Sequence, residues 1–177
     1  MHESEADLTA LDALLERSYG AAGQHLLRIH TPDRRLSAEQ VAARLTGMCL
    51  LALATTTADG RPIVGPVDGI FYRGSFHFGS APDSVRLRHI RKRPHVSATY
   101  LPGEELAVTV HGSAVPVDVQ DDQNAGFRRT LLDIYVPRYG PDWEREFLDS
   151  GPAYARIAAE RMFTFSMAPA QAPACDG

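Results

Sequence analysis

The sequence predicts a mainly β, α+β domain in which six antiparallel strands form a barrel flanked by helices. Three observations carry this. Tight-turn signals at Asp59-Gly60 and Arg73-Gly74 join extended segments into hairpins. Residues 106–119 form one long extended run whose apolar pattern changes parity part-way. Helical segments are inserted at a few points, without the strict alternation with strands that a doubly wound parallel sheet requires.

The elements follow in order. Leu8, Leu11, Leu14 and Leu15 share one face of a helix over 7–18. Ser37 followed by Gln40 predicts a capping box, each side chain satisfying a free amide at the start of a helix over 38–48. The run 49–57, CLLALATTT, then reads as a strand buried on both faces. Residues 61–67 return as a strand that Pro62 and Pro66 keep off a central, fully paired position. Segments 70–72 and 75–78 form a second hairpin, with Phe76 and Phe78 on one face and Ser75 and His77 on the other. Asp83 caps a helix that ends before Pro94, and 95–101 is a strand.

Along 106–119 the inward residues are first Leu106, Val108 and Val110, then Val115, Val117 and Val119. The switch beside Gly112 predicts a β-bulge, which lets a long strand bend so that a small barrel closes. Residues 123–137 and 141–150 read as helical. Residues 153–166 end as a strand with Met162, Thr164 and Ser166 opposite Phe163 and Phe165. The expected organisation is one domain over 1–167: a helical extension (1–48), a barrel core (49–119), a helical insertion (120–150) and a final strand (153–166). The tail 168–177, rich in Ala and Pro, is expected to be disordered.

Composition narrows the function. A chain of 177 residues with 44% apolar content is enough for one packed core. A net charge of -4 argues against a nucleic-acid partner, because neutralising phosphates needs a basic excess. Cys49 and Cys175 form no disulfide framework or zinc spacing. No run approaches the ~20 apolar residues of a membrane span, and the expectation is a cytoplasmic protein.

Residues 76–94, FHFGSAPDSVRLRHIRKRP, carry the chemistry. A strand ends at Gly79-Ser80 and a helix starts near Asp83-Ser84, with Arg86, Arg88 and His89 in its first turns. Free amides and the positive end of the helix dipole suit a phosphate there. Ser80, Ser84, Arg86 and Arg88 add hydroxyl and guanidinium donors, and Gly79 allows close approach. A solvated helix face explains the same charges equally well. His25, His30, His77, His95 and His111 lie on separate elements without metal-ligand spacing, and read as surface or packed histidines. No catalytic residue and no metal site is assigned.

From Leu51 to Val119 the chain resembles the pyridoxamine 5'-phosphate oxidase-like superfamily of flavin-binding proteins. The resemblance rests on an ordered set: the strand ending in Ala54-Thr55, the turn Asp59-Gly60-Arg61-Pro62, the strand Val64-Gly65-Pro66-Val67, the hairpin ending Phe78-Gly79-Ser80, the helix start at Ser84 and the entry Arg91-Lys92-Arg93-Pro94-His95-Val96. It implies a six-stranded antiparallel split β-barrel with Greek-key connections and flanking helices. It implies FMN as cofactor, with the deazaflavin F420 as alternative, held between the subunits of a homodimer. Gly65, Pro66 and Val67 would run beside the ring edge. Phe78, Gly79 and Ser80 would line the ring and ribityl chain. Ser84 and Arg86 would bind phosphate, with Arg88 and His89 nearby. Arg86 stands where the family commonly has Lys, and His89 where Asn is common. The Arg-Leu-x-Pro ending of the vitamin B6 oxidases is replaced by Arg161-Met162-Phe163-Thr164-Phe165, so B6 oxidation is not expected.

The expected function is FMN-dependent hydride transfer to or from a small organic substrate. F420-dependent reduction on the same fold is the alternative, with Arg34 and Arg35 as candidate partners for that cofactor's acidic tail. A binding or sensing protein for a flavin or tetrapyrrole, without turnover, is a further alternative.

Overall fold

A computed structural model describes residues 2–167; the expected disordered tail, with Cys175, lies outside them. The chain forms a closed antiparallel barrel in the order β1-β2-β3-β6-β5-β4. The strands are β1 (Met48–Thr56), β2 (Pro62–Tyr72), β3 (Ser75–Ser80), β4 (His95–Gly103), β5 (Leu106–Val117) and β6 (Ala153–Ser166). Since β4 returns to pair with β1 beyond the meander β1-β2-β3, the first four strands make a Greek key. The helices are α1 (Glu5–Gly20), α2 (Gln24–Ile29), α3 (Ala38–Arg44), α4 (Val85–Lys92), α5 (Ala125–Tyr139) and α6 (Trp143–Glu146). No described helix is long and apolar enough to cross a membrane.

The capping box at Ser37–Gln40 is present, but α3 stops at Arg44 because Gly47 takes a left-handed φ of 68° before β1. A short helix, α2, was not legible. The strand β1 is not buried on both faces. Cys49, Leu51 and Leu53 point into the barrel, while Leu50 and Ala52 face outward and are exposed.

Strand β2 runs unbroken through Asp68-Gly69, where the sequence suggested two pieces. Gly69 is there for packing: a Cβ would stand 2.5 Å from the Leu51 side chain. The prolines behave as expected, since residues 62–68 of β2 pair with β1 alone, 69–70 with both neighbours and 71–72 with β3 alone.

The bulge beside Gly112 exists, but its extra residue is Glu160 on β6: His111 pairs with Arg161 and Gly112 with Ala159. Parity therefore flips on β6 and not on β5. Val108, Val110, Gly112 and Ala114 all stay inward. Val115 is exposed. Val117 and Val119 are apolar for another reason: they pack in a second core outside the barrel. Gly112 is required because a Cβ would collide with the Ala158 carbonyl oxygen at the bulge.

Two cores result. The barrel interior holds Leu51, Leu53, Phe76, Phe78, Val108, Val110 and Met162, with α1 and α3 packed against it. Cys49 sits in this core, and burial pushes its thiol up to about 11, so it behaves as a packed apolar residue. The outer core joins Ile70, Tyr154, Val119 and the insertion residues Phe127, Leu131, Tyr135, Trp143 and Leu148. His77, predicted opposite Phe76, is covered by this second layer, 4.4 Å from the Phe127 ring centroid.

Because β3 is short, two strands have free edges at opposite ends of it. Residues 157–166 of β6 pair only with β5, and residues 62–68 of β2 pair only with β1. Side chains cover the β6 edge. Ser18 Oγ accepts from the Met162 amide at 2.9 Å, and the Tyr19 hydroxyl accepts from the Thr164 amide at 2.9 Å and donates to its carbonyl at 2.7 Å.

Candidate phosphate cradle and aromatic cleft

The free edge of β2 faces α4. The helix starts after Ser84, whose Oγ accepts from the Leu87 amide at 3.3 Å; Ser84, and not Asp83, is the N-cap. The Ser80 hydroxyl donates to Ser84 Oγ at 3.0 Å, which ties the end of β3 to the start of α4. Among the described residues the amides of Val85 and Arg86 have no acceptor.

Arg86 reaches across this gap and donates through Nη2 to the Pro66 carbonyl at 2.8 Å. Gly65 makes room, since a Cβ there would lie 3.2 Å from that nitrogen. Burial holds the Arg86 guanidinium below its ordinary value, and no described carboxylate offsets its charge. A half-exposed cation, the Ser84 hydroxyl that Ser80 holds in place and two free helix amides form a donor set that fits a phosphate.

Arg88 points elsewhere, because two residues along a helix turn the side chain by about 200°. It donates to the Asp83 carbonyl at 2.6 Å, and Arg91 donates to the Pro82 carbonyl at 2.7 Å. Arg93 binds the Thr56 carbonyl at 2.8 Å, and His89 Nδ1 meets Thr55 Oγ1 at 3.1 Å. These groups fold the basic helix back onto its own loop and β1. Beside them Arg88, His89, Arg91, Lys92 and Arg93 line a shallow groove of about 440 Å³. Arg34 and Arg35 sit at the β6 edge, over the rings of Phe165 and Tyr19.

Of the sequence-predicted residues, Gly65, Pro66, Ser80, Ser84 and Arg86 converge on one gap. Val67 and Phe78 point into the barrel core. Phe78 and Gly79 also line a second cavity, a cleft of about 530 Å³ between the sheet and the insertion. Asp68, His77, Tyr154, Tyr135, Trp143 and Phe147 complete much of its wall. Burial pushes the Tyr154 phenol up to about 12, with the Asp68 charge adding to the effect, and raises Tyr135 as well. The sequence reading missed Asp68. The signal was available: one carboxylate inside the otherwise apolar strand PIVGPVDGIFY.

The family model for pyridoxamine 5'-phosphate oxidase matches residues 37–165. The chain belongs to the pyridoxamine 5'-phosphate oxidase family. Solved structures agree in fold. The conserved hypothetical protein Rv2991 of Mycobacterium tuberculosis superposes with a TM-score of 0.62 at 20% identity, covering 76% of this chain and 88% of that one. An FAD-binding protein of Mesorhizobium loti gives 0.54 at 22% identity, covering 76% and 98%. An F420 reductase gives 0.52 at 20% identity, covering 68% and 93%. No curated protein matches. Within the family's barrel, the gap beside α4 and the covering insertion are what this chain offers for function.

Proposed function

We propose that this family member is an oxidoreductase using FMN, whose phosphate is held by Ser80, Ser84, Arg86 and the free amides of α4. The observation that carries the reading is the half-exposed Arg86 guanidinium, without a carboxylate partner among the described residues, bridging α4 and the free edge of β2. The ring would lie along Gly65, Pro66 and Val67, towards Phe78 and Gly79. When bound, the flavin supplies the two-electron chemistry itself, so a catalytic triad is not needed. The chain's task is to hold the ring and shape access for a small organic substrate. Arg88 and His89 lie farther round the helix and would assist only from the groove side.

The protein is proposed to act as a homodimer with the cofactor at the subunit interface. Exposed apolar side chains on β1, β2 and β4 support this: Leu50, Val64 and Leu101 are 57%, 63% and 62% exposed and would lose that exposure against a second copy. F420 is the second reading. The groove of Arg88, Arg91, Lys92 and Arg93 next to the phosphate cradle favours it, because that cofactor carries an acidic tail.

The test is the absorption spectrum of protein incubated with FMN or F420 and freed of unbound ligand. A retained two-band flavin spectrum that is lost in the Ser84→Ala/Arg86→Ala variant supports FMN. Retention of the single-band deazaflavin alone shifts the assignment to F420. Retention of neither overturns the proposal.

A further inference from the structure

The cleft under the insertion has a composition of its own. Four rings form a ladder along α5 and α6: Tyr139 to Tyr135 at 5.9 Å, Tyr135 to Trp143 at 4.8 Å and Trp143 to Phe147 at 5.4 Å, with interplanar angles of 20°, 21° and 25°. The ladder ends at the surface: Tyr139 is 57% and Phe147 46% exposed, both line the cleft, and the Arg138 guanidinium already lies over the Tyr139 ring at 5.6 Å, a cation on this aromatic surface. Ring faces carry the negative part of the aromatic quadrupole and attract flat rings and cations.

The charges lining the cleft have one sign. Asp68 projects from the outer face of β2, half-buried, accepting a long hydrogen bond of 3.4 Å from the Tyr135 hydroxyl. Among the described residues it has no cationic partner. Glu146 is at the rim, where Arg145 pairs with it at 3.3 Å. Among the described residues no Lys or Arg lines the cleft, the cation over the ladder being Arg138, at the Tyr139 ring. His77 at its floor is kept neutral by burial. An unpaired carboxylate facing an aromatic wall is a complementary surface for a positive charge carried on a flat molecule.

We propose that this cleft binds flat organic cations, with Asp68 as the counter-charge and the Tyr139–Phe147 ladder as the stacking surface. As Phe78 and Gly79 belong both to this cleft and to the proposed ring zone, the bound cation is the substrate class of the oxidoreductase. That last step rests on the proposed function; the binding preference does not.

The test uses three probes of one shape and different charge: the ring-methylated cation of nicotinamide, nicotinamide itself and nicotinate. Binding is measured by calorimetry and by fluorescence of Trp143, the chain's single tryptophan and a ladder member. The cation is expected to bind about tenfold more tightly than nicotinamide, with nicotinate weakest. Asp68→Asn should level the cation with nicotinamide. Tyr139→Ala, at an exposed position, should weaken both by a similar factor while thermal unfolding stays unchanged. Equal binding of all three probes, binding of none, or a cation preference that survives Asp68→Asn overturns the proposal. FMN retention is recorded on the same samples. A wild-type protein that retains no flavin but prefers the cation would overturn the proposed function and leave this inference standing. Retained flavin with no charge preference would do the reverse.

Discussion

The two free edges of the barrel are treated in opposite ways. The edge of β6 is covered: Ser18 and Tyr19 supply partners for the Met162 amide and for the Thr164 amide and carbonyl, and Leu36 donates its amide to Thr164 Oγ1 at 2.9 Å. The Ser18, Tyr19 and Leu36 bonds are buried and span more than a hundred residues of sequence. The edge of β2 has one side-chain contact, from the half-exposed Arg86, and two prolines. A covered edge contributes to stability and leaves little for a ligand to bind. An unsaturated edge contributes little to stability and keeps its acceptors available. The lesson is that one short strand, β3, creates both, and the side chains that reach each edge decide which is structural and which is open to a ligand.

Acid should give the largest effect, by loosening β3 between the two edges. Burial lowers His77 from 6.5 to about 4, with a partial offset from its bond to the Ser75 carbonyl and a further depression from Arg156. The unfolded chain therefore takes up a proton that the folded chain refuses, and stability falls as pH drops from about 6.5 towards 4. The loss attributable to this group is up to about 3 kcal/mol, and urea titrations of His77→Gln should show a correspondingly flatter pH dependence. Next, Tyr19→Phe leaves the buried Thr164 amide without a partner and should cost about 2 kcal/mol in urea unfolding. Flavin retention by the folded fraction should not change; if it does, the two edges are coupled and the contrast fails.

Arg86→Ala should reverse that pattern. Stability is expected to move by less than about 0.5 kcal/mol, since water replaces the guanidinium at the Pro66 carbonyl. Cofactor affinity should fall by about tenfold or more in equilibrium dialysis. Arg88→Ala should give the smallest effect, about twofold on affinity, because its guanidinium is engaged with the Asp83 carbonyl; a loss as large as that of Arg86→Ala would show that Arg88 leaves this contact to bind phosphate.

Local chemistry made much of this legible. The hairpin turns, the Ser37 capping box, the long final strand and the Ser80–Arg86 constellation all depend on residues close together in sequence. What escaped depends on distant partners. Asp68-Gly69 looks like a turn, and only Leu51 across the sheet explains the glycine. Val115, Val117 and Val119 looked like a switch to the barrel interior, because apolar residues do not reveal which of two cores they serve. The bulge was located but put on the wrong strand, since a two-against-one mismatch leaves no mark distinguishing its sides. Charge alone put Arg86 and Arg88 at the same helix end, and where each guanidinium goes depends on the Pro66 and Asp83 carbonyls it meets. Asp68 escaped because its meaning depends on an insertion more than sixty residues away.

Pro62 and Pro66 also bear on how the protein behaves when crowded. A bare strand edge is a template on which another chain can zip up, the first step towards fibrils. Proline brings no N–H to such an edge yet keeps its carbonyl. Residues 62–66 thus offer acceptors to a guanidinium or a small ligand while denying an incoming strand the alternating donors it needs. The same spacing that leaves the edge open to a small molecule closes it to self-association, and Pro62→Val/Pro66→Val should yield a protein that folds but precipitates on concentration.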